Sequence, residues 1–237
     1  MDLNEKEDIF ISCGGRFISS AFDIGEKLKK IKAYVFDWDG VFNDGRKGEG
    51  VFSSFSEIDS LGVNMLRFGH YLEHGVMPVT AIITGKQNPS ALTWAKREHI
   101  DAVYLRFAQK QMALTDFCDN HNLKPEEVCY LFDDILDVAV ARSVGLGFAV
   151  GRKANPLFIR YLEKEGLADY VSGASGNQHA VREFCELVLL LIDKHFEVIQ
   201  RRADYDQLYQ EYYAQRQTLR LLQYEYRDNL IVPYKHI

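Results

Sequence analysis

Two short apolar runs, Ala33-Tyr34-Val35-Phe36 and Val128-Cys129-Tyr130-Leu131-Phe132, each lead directly into aspartate, at Asp37 and at Asp133. Runs of this length and composition read as strands buried within a sheet, and a carboxylate placed immediately after one marks where the chain leaves the core. Similar runs recur in Met77–Thr84, Ala102–Leu105 and Gly147–Val150, and between them lie helix-like stretches around 90–99, 111–121 and 137–144. Strands alternating with helical crossovers make βαβ units and a parallel sheet. The predicted class is therefore α/β, a Rossmann-like parallel sheet with helices on both faces. In such sheets ligands bind beyond the carboxyl ends of the strands. Asp37, Asp133 and the Ile83-Thr84-Gly85-Lys86 turn should then share one edge.

The remaining segments are less regular. Residues 43–62, Asn-Asp-Gly-Arg-Lys-Gly-Glu-Gly followed by Val51, Phe52 and Phe55 among polar residues, read as a small β-hairpin insertion, too short to be a cap domain. After Asn177 the pattern turns helical through Arg202. Leu208, Tyr212, Leu219 and Leu222 continue at helical spacing, which predicts a helical carboxyl-terminal extension that packs on another surface. The organisation expected is an amino-terminal extension (1–30), one catalytic domain (31–194) and the helical extension (195–237).

With 237 residues, 47% of them hydrophobic, the chain can bury one substantial core. Its net charge of −6 provides no basic field for a nucleic acid. Cys13, Cys118, Cys129 and Cys185 lack metal-ligand spacing and suit a reducing compartment. Leu187–Ile192 is the most apolar stretch, far short of the roughly 20 residues that cross a membrane. The acidic start, Met1-Asp2-Leu3-Asn4-Glu5, does not read as a secretory signal. The expectation is a cytoplasmic protein without a membrane or nucleic-acid partner.

Asp37-Trp38-Asp39-Gly40 carries the first chemistry. Carboxylates two residues apart at a strand end point to the same side, so they can share a cation and a phosphoryl group. One can attack phosphorus while the other transfers protons. The same Asp-x-Asp-Gly also opens calcium loops, but the later ligands of such a loop are missing here. Asp133-Asp134-x-x-Asp137 is the second cluster. Taken alone it reads more readily as the acidic first turn of a helix; crowded at a strand end, it calls for a hard cation such as Mg2+. Thr84 and the Gly85 amide are available to a phosphate, and Lys110, at the start of a helix, can balance its charge, although a single lysine is ordinarily solvent-facing.

The order Asp-x-Asp-Gly-Val, Ile-Thr-Gly, Lys110, Asp-Asp-x-x-Asp resembles the haloacid dehalogenase superfamily of phosphohydrolases. The segments between the motifs, over about residues 32–191, resemble the 3-deoxy-D-manno-octulosonate 8-phosphate phosphatase subfamily. That resemblance implies a magnesium-dependent phosphomonoester hydrolase, without a large cap, acting on a small phosphorylated sugar or sugar acid through an aspartyl-phosphate, and assembled as a homotetramer whose neighbours close the sites. It implies Asp37 as nucleophile and metal ligand, and Asp39 as general acid/base contributing its carbonyl to the metal. Asp133 would be the third metal ligand, with Thr84, Gly85, Lys86 and Lys110 on the phosphoryl group. Asp137 would orient Lys110, with Asp134 beside it and Asp59 near the substrate opening. Three positions depart from the family pattern: Phe132 replaces a glycine, Lys86 an arginine, and Gln178, next to His179, stands where a basic residue commonly reaches a substrate carboxylate. The departures at Phe132 and Gln178 keep a second reading open, a catalytically weak scaffold that binds partners through its carboxyl-terminal extension.

Overall fold

The computed structural model describes all residues except 49, 52, 236 and 237. Nine strands form one sheet: β1 (Arg16–Phe17), β2 (Ala33–Phe36), β3 (Val79–Ile83), β4 (Ala102–Leu105), β5 (Val128–Phe132), β6 (Leu146–Ala149), β7 (Tyr170–Val171), β8 (Leu222–Arg227) and β9 (Leu230–Pro233). Their spatial order is β1-β7-β6-β5-β2-β3-β4-β8-β9. Only the outermost pairs, β1 with β7 and β8 with β9, are antiparallel.

The period of two along each strand sorts side chains between two cores. Tyr34 and Phe36 of β2, with Cys129 and Leu131 of β5, join a cluster shared with Ile24, Trp94 and Phe184. The alternate residues Ala33, Val35, Tyr130 and Phe132 join the opposite one, with Leu114, Phe117 and Leu162. On the first face lie α1 (Leu3–Ser12), α2 (Ala21–Leu28), α3 (Glu57–His74), α4 (Pro89–Arg97) and α8 (Ala180–Leu191); on the second, α5 (Lys110–His121), α6 (Val138–Ala141) and α7 (Pro156–Glu165). Phe132, at a position where the family pattern has glycine, is thus fully buried and stacks on Tyr130 at 5.6 Å.

The amino-terminal residues are built into this frame. Ser20 caps α2, whose Ala21, Ile24 and Leu28 are buried, and β1 extends the sheet beside β7. Beyond α8 the expected continuous helix breaks at Asp193, where φ is 56°. It resumes as α9 (His195–Asp204) and α10 (Gln207–Gln217), which bury Val198, Tyr209 and Tyr212 against Phe68 and Leu189.

Two sequence expectations are corrected. Among the described residues, 43–62 do not make a β-hairpin: they form a loop with one antiparallel bridge, between Gly48 and Val51, and from Glu57 the chain is already α3. Ser56 caps that helix through its hydroxyl, with Glu57 and Asp59 in the first turn. Phe52, part of the same expectation, lies outside the described residues. The second correction is the tail, which is helical only to Gln217. Leu219 follows the helix and Leu222 opens β8, which pairs with β4, while Asp228 and Asn229 turn the chain into β9.

Candidate active site

Backbone pairing sets the strand ends side by side. The Asp37 amide donates to the Leu131 carbonyl (2.9 Å), Thr84 to Tyr104 (2.9 Å) and Val150 to Phe132 (2.7 Å). Between the two first-motif aspartates, Trp38 turns inward and stacks on Phe42 at 4.7 Å. Asp37 and Asp39 therefore face the opposite way, into a cavity of about 370 Å3 also lined by Thr84, Lys110, Asp133 and Arg152. Gly85, Lys86, Asp134 and Asp137 line the same cavity.

Charge is tightly paired inside it. Lys110, 3% exposed, places Nζ 2.7 Å from Asp37 Oδ1 and 2.6 Å from Asp137 Oδ1. Tyr130 donates its hydroxyl to the same Asp137 oxygen. Burial opposes the ammonium charge, but Asp37 and Asp137 overcome it and hold Lys110 above its ordinary pKa. Asp133 Oδ2 pairs with Arg152 Nη2 at 2.6 Å. Burial raises Asp37 well above the usual carboxylate range; Asp137 and Asp133 add to the shift, and Lys110 opposes it. For Asp133, burial outweighs Arg152 and pushes the carboxyl to about 6.

Gly40 is required where it stands. Its φ is 90°, and a Cβ there would lie 1.9 Å from Arg152 Nη2 and 2.2 Å from Asp133 Oδ2. The first motif can approach the Asp133–Arg152 pair only because it ends in glycine.

Asp39 is held differently. Its Oδ1 accepts from Lys47 Nζ (2.6 Å) and Ser53 Oγ (2.7 Å), and its Oδ2 from Asn88 Nδ2 (2.8 Å). Asn88 Nδ2 also lies 2.6 Å from Thr84 Oγ1. Sequence reasoning missed Lys47, Ser53, Asn88 and Arg152. Arg152 follows β6 at the same sheet edge, so the strand-end rule that singled out Asp37 reaches it as well. Lys47 and Ser53 belong to the glycine-rich loop and carry no local signal.

Two expected site residues sit elsewhere. Asp59 is fully buried at the α3–α8 junction, accepting from the Arg182 amide (3.0 Å) and facing His179 Nδ1 (3.3 Å); it borders a neighbouring recess with Asn43 and Asn177. Burial raises its pKa against the pull of His179 and Arg182. Gln178 lines a further cavity beside Arg152, Lys153 and Ser175, and this cavity shares Arg152 and Asp44 with the acidic one. Lys153 thus brings a cation to the wall on which Gln178 lacks one.

Asp37, Asp133 and Asp137 offer carboxylate oxygens that all lie within 4.8 Å of one another. This buried donor set is all oxygen, and Lys110 and Arg152 are the cations that touch it. Hard oxygen donors with excess negative charge fit a small divalent cation.

No family model matches the chain. The 3-deoxy-D-manno-octulosonate 8-phosphate phosphatase KdsC of Escherichia coli K12 is 31% identical over 173 residues, covering 71% of this chain and 84% of that protein. This chain belongs to that phosphatase family, within the haloacid dehalogenase superfamily. Among solved structures, a probable YrbI family phosphatase from Pseudomonas syringae superposes with a TM-score of 0.64 at 30% identity, covering 77% of this chain and 98% of the other. The Moraxella catarrhalis 3-deoxy-D-manno-octulosonate 8-phosphate phosphatase, solved with magnesium, phosphate and KDO, superposes at 0.61 with 27% identity, again covering 77% and 98%. The alignments leave close to a quarter of this chain unmatched. Like its relatives, the chain is a haloacid-dehalogenase-type phosphoric monoester hydrolase.

Proposed function

We propose that this phosphatase hydrolyses a small phosphorylated sugar acid of the 3-deoxy-D-manno-octulosonate 8-phosphate type, with magnesium, through an aspartyl-phosphate on Asp37. The observation that carries the reading is Asp37 itself, a carboxylate at a strand end, facing a cavity, with the Lys110 ammonium 2.7 Å from one of its oxygens. The Asp37 and Asp133 carboxylates and the Asp39 carbonyl would hold the metal. Bound there, magnesium compensates the charges of the carboxylate and of the phosphoryl oxygens.

The chain's own groups supply the rest. Thr84 and the Gly85 amide bind phosphoryl oxygens, Lys86 stands at the rim, and Lys110 offsets their charge while Asp137 fixes its position. An Asp37 oxygen forms a bond to phosphorus as the ester P–O bond breaks, and Asp39 gives its proton to the departing oxygen. Water then attacks the aspartyl-phosphate and passes a proton to Asp39, releasing inorganic phosphate and restoring Asp37 as a carboxylate and Asp39 as the acid. Lys47, Ser53 and Asn88, which all donate to Asp39, fix its carboxyl in place for both steps. Arg152 and Lys153, beside Gln178, suit the carboxylate of a sugar acid.

The test is phosphate release from a panel of neutral sugar phosphates and 2-keto-3-deoxy sugar acid phosphates, with magnesium and with chelator. A magnesium-dependent preference for a sugar acid phosphate is expected. Asp37→Asn should lower that rate by 10³-fold or more, on the scale of losing a nucleophile. Retained turnover in purified Asp37→Asn protein would end the covalent assignment, and a flat panel would end the substrate assignment.

A further inference from the structure

The sheet has a second end. Where β2, β3 and β5 begin, the connections from α2, α3 and α5 border an open cavity of about 780 Å3, at the opposite end of the strands from Asp37. Ile31, Val79, Met77 and Leu123 give it an apolar wall. Five lysines, Lys27, Lys29, Lys30, Lys32 and Lys124, border it together with Glu126 and Glu127, an excess of cations in a chain whose net charge is −6.

Part of that charge has a local reason, because helix carboxyl termini attract cations and α2, α3 and α5 all end here. Three of the lysines are also committed: Lys27 to Asp169 at 2.5 Å, Lys32 to Glu127 at 2.7 Å and Lys29 to Glu26. Lys30 and Lys124 are exposed, and neither has an ion-pair partner among the described residues.

The decisive residue is His70. It is only 3% exposed, yet it borders this cavity, and its imidazole has no hydrogen-bond partner among the described residues. Its contacts are rings: Tyr34, edge-on at 5.7 Å, and His74, tilted at 4.3 Å. A polar ring edge that borders a cavity and is not engaged by the protein is available to hydrogen-bond a ligand there.

We infer that this cavity is a binding site for a nucleoside phosphate, with the flat base on the apolar wall, a base edge hydrogen-bonded to His70, and the phosphate met by Lys30 and Lys124. The three demands coincide in that class: an apolar face, a polar ring edge and an anionic group. The volume lies within the range of small-molecule sites. His74, exposed and beside His70, offers its ring for stacking.

Calorimetric titration of the full chain in chelator, with AMP, GMP, CMP and UMP in turn and with inorganic phosphate and adenosine as partial ligands, tests this. At least one nucleotide should bind at one site per chain, about tenfold or more tighter than phosphate or its nucleoside. The exposed pair Lys30→Glu with Lys124→Glu should weaken it by about tenfold or more while leaving aryl phosphate turnover unchanged. His70→Phe should weaken it too, with far-ultraviolet dichroism confirming the fold. Absence of nucleotide binding at millimolar concentration, or binding indifferent to the lysine pair, overturns the assignment.

Discussion

Lys110 supports a cluster that would otherwise repel itself. Its ammonium touches Asp37 and Asp137 at once, all three side chains are almost wholly buried, and Tyr130 donates to the same Asp137 oxygen that the ammonium touches. Removing one member of a buried ion pair leaves an uncompensated charge, which costs roughly 3–5 kcal/mol. Lys110→Met should therefore destabilise the metal-free protein by about that amount, as read from urea unfolding in chelator. Asp37→Asn should leave stability unchanged or raise it, since burial, with Asp137 and Asp133, outweighs the support Lys110 gives that carboxylate, and Lys110 keeps Asp137 as a partner. Equal stability of Lys110→Met and the parent would mean that the cluster is not held by this ammonium. The identity of Lys110 was legible only from its order among the other motifs. Nothing local distinguishes it from a solvent-facing lysine, because its burial depends on Asp37 and Asp137, which are remote in the chain.

Among the elements, the strands that end in aspartate were readable because the signal is local: an apolar run of strand length and a polar stop. The carboxyl-terminal hairpin was not. Leu208, Tyr212, Leu219 and Leu222 fall at helical spacing, whereas Tyr224, Tyr226 and the Asp228-Asn229 pair carry the period and turn chemistry of a hairpin; both residues of that pair have positive φ, as a tight hairpin turn requires. The two patterns abut at Thr218, and the apolar spacing runs across the boundary. The glycine-rich loop failed in the other sense: its alternation suggests strands, but its polar side chains go to Asp39 and Asn88 and not to a partner strand. β8 holds its place on β4 partly through Tyr224, which stacks on Tyr104 at 5.0 Å. Tyr224→Ala should cost on the order of 1–2 kcal/mol in chemical denaturation, the scale of an aromatic pair with its buried area. No loss would mean that the hairpin is not docked on the sheet edge.

The whole molecule is polar along its strands, with buried carboxylates at one end of the sheet and His70 among lysines at the other, and the two ends respond oppositely to pH. Asp133, raised to about 6 by burial, contributes stability that is present below the ordinary carboxylate range and is lost as pH rises through about 6. Burial, with a smaller push from His74, lowers His70 from 6.5 to about 3, so its contribution is complete above about pH 6.5 and is lost as pH falls toward 3. Between about pH 4 and 6 these trends oppose each other, and in metal-free protein the melting temperature should vary less with pH than either group alone would require. His70→Phe removes one of them. Whatever it costs at neutral pH, the difference in melting temperature between the variant and the parent should move in the variant's favour as pH drops from 6.5 toward 4. A difference that stays constant across that range would show that His70 takes up its proton in the folded protein as readily as in the unfolded chain, and that the cavity around it is open to water.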